Sequence, residues 1–147
     1  MDCRNNLKSI YVNNRNTLSS QFTITLIVNC DDKDSYLLKS IIGSFFNECF
    51  ISVECIKADE SISLVINQLK KSQCIISKLS ILNSSYYSEI IYALEKPVIL
   101  ITKNGNISFA NELGFKEMRF LFYKENINEI RNLKDKFIEY ISSLIKL

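Results

Sequence analysis

A chain of 147 residues, 47% of them hydrophobic, is the usual size of one domain and carries enough apolar side chains to bury a real core. Its formal charge of +2 is scattered rather than gathered into a basic stripe, which argues against a nucleic-acid partner. No histidine is present, so Ser-His-Asp and Cys-His mechanisms are excluded, and carboxylates must carry any acid-base or nucleophilic work.

Residues 1–22 are rich in Asn, Ser and Arg without a clear period and read as an N-terminal arm. The domain, residues 23–147, opens on FTITLIVNC (22–30), a nearly continuous apolar run expected of a strand buried on both faces. DDKDS (31–35) turns the chain into a helix with Leu37, Leu38, Ile41, Ile42, Phe45 and Phe46 on one face and Asp32 or Asp34 as its cap. A second strand (50–57) and a second helix (58–72) follow, the helix directing Ile62, Val65, Ile66 and Leu69 to one side. A third strand (73–79) leads through a polar turn, SILNSS (80–85), into a helix that Pro97 ends before the strand PVILIT (97–102). KNGN (103–106) is a turn, and a looser segment with Phe109, Leu113 and Phe115 precedes the last strand, MRFLFY (118–123). Ile127, Ile130, Leu133, Phe137, Ile141 and Leu144 then recur at helical spacing, as expected of a helix that covers the sheet, with a dimer surface as the alternative use.

Strands alternating with helices imply right-handed βαβ units and a flavodoxin-like α/β sandwich, with a parallel sheet of about five strands covered on both faces. Five cysteines with no CxxC pair read as reduced thiols of a cytoplasmic protein, and Cys30, Cys55 and Cys74 as small core residues. No metal-ligating pattern and no leader is visible, and no apolar run approaches the ~18 residues of a membrane span, so a soluble protein without a membrane partner is expected.

In such sheets ligands bind beyond the carboxyl ends of the strands. Two polar loops gather there, NCDDKDS after the first strand and SKLSILNSS after the third, the latter leading to Glu89. With Ser85 as cap, Glu89 lies in the first helical turn, where it faces the crevice or is simply a solvated charge favoured by the helix dipole. With three glycines in the chain, neither a GxGxxG nor a P-loop exists.

The stretch IISKLSILNSSYYSEIIYALEKPVILIT (75–102) resembles the signature shared by nucleoside 2-deoxyribosyltransferases and TIR domains. Leu79, Ser80, Asn83, Glu89, Ala93, Lys96 and Pro97 fall in step with the transferase pattern, and Lys33 and Asp34 match the first loop common in TIR domains. Lys78 stands where the transferases carry an aspartate, Ile91 replaces their glycine, and the tryptophan and cysteine that precede the TIR glutamate are missing, the pattern of a distant member.

The resemblance implies an enzyme of N-glycosidic bonds. A carboxylate can stabilise or trap the ribosyl cation, whereas a neutral base also needs a proton from a second acid. Nicotinamide leaves NAD as a neutral molecule, so a single carboxylate, Glu89, suffices. The resemblance therefore implies a nucleosidase of NAD or a related nucleotide, with NAD as substrate and no cofactor. Ser80, Asn83, Ser84 and Ser85 are expected along the sugar and phosphate, and Asp31, Asp32 or Asp34 at the ribose hydroxyls. It also implies a homo-oligomer in immune or stress signalling. Deoxyribosyl transfer and a non-catalytic nucleotide-sensing or assembly module are the alternatives.

Overall fold

A computed structural model describes residues 22–29, 33–46, 51–57, 60–83, 86–103, 110 and 112–144. The expected arm lies outside these residues apart from Phe22. Five strands, β1 (Phe22–Val28), β2 (Ile51–Lys57), β3 (Cys74–Lys78), β4 (Val98–Lys103) and β5 (Met118–Tyr123), form one parallel sheet in the order β2-β1-β3-β4-β5.

Because side chains alternate along a strand, β1, β3, β4 and β5 feed two cores. Ile24, Leu26, Cys74, Ile76, Ile99, Ile101, Leu121 and Tyr123 face one side. There they meet α1 (Lys33–Phe45), a 3-10 segment (Ile127–Leu133) and α5 (Lys134–Leu144). Phe137 of α5 lies between Phe45 and Phe46, with ring centroids 5.5 and 5.6 Å away. Ile27, Ile75, Val98 and Leu100 face the other side, under α2 (Ile62–Lys71), α3 (Leu79–Asn83) and α4 (Tyr87–Leu94). The one polar side chain of β1 buried on this second side, Thr25, is satisfied by Ser72 and by the Gln68 amide, 3.2 Å from its hydroxyl, at the carboxyl end of α2.

Four expectations are corrected. The turn expected over 80–85 begins instead as the helix α3, because Leu79, Ile81 and Leu82 are apolar and all three are buried. Ser85 lies outside the described residues, and the N-cap of α4 is Tyr86, with no side-chain cap. That helix ends at Glu95, held left-handed at φ 54°, two residues before Pro97; its N–H donates to the Ile91 and Tyr92 carbonyls and closes the last turn. Ile62 points outward, 54% exposed, while Val65 and Leu69 fill the core.

The C-terminal helix also starts differently. Residues 127–133 wind as a 3-10 segment opened by a capping box: Asn126 accepts from the Asn128 N–H at 2.8 Å, and Glu129 from the Asn126 N–H at 2.7 Å. Ile127, Ile130, Phe137, Ile138 and Ile141 are all buried, so this region covers the sheet as its periodicity requires. Among the described residues no helix is long and apolar enough to cross a membrane.

Candidate functional site

The order β2-β1-β3 reverses chain direction across the sheet at β1 and β3, and the crevice of such folds opens at that switch, beyond the carboxyl ends. Here the Asn29 N–H donates to the buried Ser35 hydroxyl at 3.1 Å, tying the end of β1 to the first turn of α1. Asp34, in that same turn, reaches across to Lys78 at the end of β3, with 3.8 Å between carboxylate and ammonium. The Lys78 side chain is 12% exposed and that of Asp34 47%, so the lysine is held by its surroundings while solvent screens the pair.

Lys78 also lines a cavity of about 210 Å³ with Ser80, Ile101, Thr102, Lys103 and Tyr123. Of the residues expected in the site, Asp34 and Ser80 are thus both gathered around Lys78. Asp31, Asp32, Ser84 and Ser85 lie outside the described residues, as does the side chain of Asn83.

Glu89 occupies a different hollow. In α4 the buried residues are Tyr87 and Ile91, and a residue two places from each is turned by about 200° on a helix of 3.6 residues per turn. Glu89 is therefore on the outer flank of α4, exposed, where it lines a hollow of about 350 Å³ with Ser88, Tyr92, Glu112 and Leu113. Two tyrosines fix the start of this helix. Tyr87 donates to the Lys57 carbonyl at 2.7 Å, Tyr86 to the Glu60 carbonyl at 2.9 Å, and their rings stack at 4.9 Å. Next to Leu113, Gly114, at φ +66°, lets the Tyr92 ring come close: a Cβ there would stand 3.2 Å from it.

Glu112, Tyr92, Lys103, Thr102 and Tyr123 carry no signal in the sequence. Glu112 sits in the looser segment before β5, where no period places a side chain, and the lysines end apolar strands where a solvated charge is ordinary. Cys74 is set aside as a nucleophile, because complete burial pushes its thiol up to about 12 and keeps it neutral.

Sheet order and two helical layers define a flavodoxin-like α/β domain. A solved structure with this fold, the NADPH-quinone reductase of P. pentosaceus, superposes with a TM-score of 0.50 over 86% of this chain and 99% of its own, at 12% sequence identity. At that identity the likeness speaks for the fold alone. No protein-family model and no curated protein sequence matches the chain.

Proposed function

We propose that the protein cleaves the N-glycosidic bond of NAD or a related nucleotide, with Glu89 stabilising the ribosyl cation. The observation that supports this reading is the hollow itself: a carboxylate in the first turn of α4, a serine, and the ring of Tyr92, which is 60% exposed and offers a face for a flat base. The C1′–N bond breaks with its electron pair going to the base, cationic nicotinamide leaves neutral, and water adds to C1′ and releases a proton. Glu89 opposes the charge that develops between these events. Chemistry of this kind gains from water exclusion, and the hollow is open, so a second copy of the chain is the proposed cover.

The test is release of free base from NAD by concentrated protein, followed by chromatography. The expected result is that Glu89→Gln lowers the rate by about a hundredfold or more. Full turnover by Glu89→Ala refutes the assignment.

Glu112 favours a second reading. A neutral nucleoside base needs an acid to protonate it, and the hollow holds a second carboxylate. Deoxyribosyl transfer between bases would then be lost in Glu112→Gln, whereas NAD cleavage would survive. Silence of the folded protein toward NAD and nucleosides alike leaves a non-catalytic nucleotide-sensing module.

A further inference from the structure

The cavity at the carboxyl edge of β3, β4 and β5 has a chemistry of its own. Lys78 and Lys103 are the last residues of adjacent parallel strands, Lys78 paired with Ile101 and Lys103 with Tyr123. With a side-chain period of two, Lys103 stands on the same face of β4 as Ile101, so both ammonium groups serve one cavity. Ser80 and Tyr123 add two hydroxyl-bearing side chains, and no carboxylate lines the cavity among the described residues. Asp34, beside Lys78, offsets one of the two charges, and the described lining keeps a positive balance.

Two cations and two hydroxyl-bearing side chains around one cavity match an oxyanion with several acceptor oxygens. A volume of about 210 Å³ is small beside the ~300 Å³ and more of a site that encloses a whole drug-sized ligand, so one end of the ligand fits. We propose that this cavity binds a phosphate group of a small-molecule ligand, with Lys78 and Lys103 as its counter-charges. Both lysines are carried by strands rather than by loops. The proposal does not depend on the Glu89 hollow, which is lined by different residues.

Calorimetric titration at low salt with inorganic phosphate, a nucleoside monophosphate and the matching nucleoside tests it. Phosphate-bearing probes should bind and the nucleoside should not. Lys103→Gln, an exposed position that leaves the core intact, should weaken binding by about tenfold or more, and Lys78→Gln likewise. Asp34→Asn should tighten it by removing the carboxylate paired with Lys78. A monophosphate that binds more tightly than inorganic phosphate identifies a phosphorylated metabolite as the ligand, and equal affinities identify the free anion. Binding untouched by Lys103→Gln, or no binding of either phosphate probe, overturns the proposal whether or not the protein cleaves NAD.

Discussion

The two faces of the sheet are finished differently. On the side of α1 and α5, Phe45, Phe46 and Phe137 interlock over the strands, and the phosphate cavity opens at the rim of this packed layer. On the side of α2 and α4, two shorter helices leave Ile62, Leu64 and Tyr92 more than half exposed, against Tyr36 alone of the large apolar side chains described on the other side, and a groove of about 230 Å³ lined by Ile66, Glu89, Ile90, Ala93 and Leu94 runs beside the Glu89 hollow. The contrast separates two tasks. A site built on strand ends is held by the core and suits fixed recognition of a charged group. A site built on a helix flank and a connecting segment is less constrained, and it borders the face with apolar surface to spare.

The largest expected effect tests the packed face. Phe137→Ala removes a fully buried ring that touches two others, and chemical denaturation should show a loss of about 3–5 kcal/mol. A loss under about 1 kcal/mol would mean that this layer is no better packed than the other. A smaller effect is expected opposite. Tyr87→Phe keeps the buried ring but removes the hydroxyl that reaches the Lys57 carbonyl, at a cost of about 1–2 kcal/mol. Since that bond anchors the start of α4, base release should fall as well, which a purely structural bond remote from the hollow would not cause.

How much of this was legible in the sequence follows the same division. The five strands and the helices between them were readable because apolar runs and periods are local, and β5 matched to the residue, Met118–Tyr123. Covering of the sheet by Ile127, Ile130, Phe137 and Ile141 was readable for the same reason. What failed was phase and convergence. A tally of apolar residues cannot tell that Ile62 stands outside while Val65 stands inside, since both fit one broad helical stripe. Nor does spacing along the chain bring Lys103 beside Lys78, or Glu112 beside Glu89, because sheet order and loop return decide those meetings. Glu89 itself was legible as a first-turn carboxylate, but the burial of Tyr87 and Ile91 fixes the flank it occupies.

A pH titration sharpens the packed face further. Glu129 is held below the ordinary glutamate value chiefly by the Asn126 N–H, then by those of Glu125 and Lys124. A depressed folded pKa gives stability that is present above the unfolded value of about 4.3 and is lost as pH falls through the folded one. Stability should therefore drop in acid, and Glu129→Gln should flatten part of that drop. An identical acid profile in the variant would show that the capping box does not couple to folding.

The smallest effect belongs to the open face. Ile62 and Leu64 are 54% and 57% exposed, so replacing either with Asn removes little buried area and should shift the stability of the lone chain by no more than about 0.5 kcal/mol. The comparison breaks if concentration matters. A second copy seated over Ile62 would bury it, stability would rise with protein concentration, and Ile62→Asn would then remove that rise while leaving dilute protein unchanged, with Leu64→Asn, about 200° round α2, as the control. Denaturation of wild type and Ile62→Asn at two concentrations distinguishes these cases. A concentration-dependent stability abolished by the substitution would place the assembly surface on α2, beside the Glu89 hollow, and a flat response in both would leave this face to solvent.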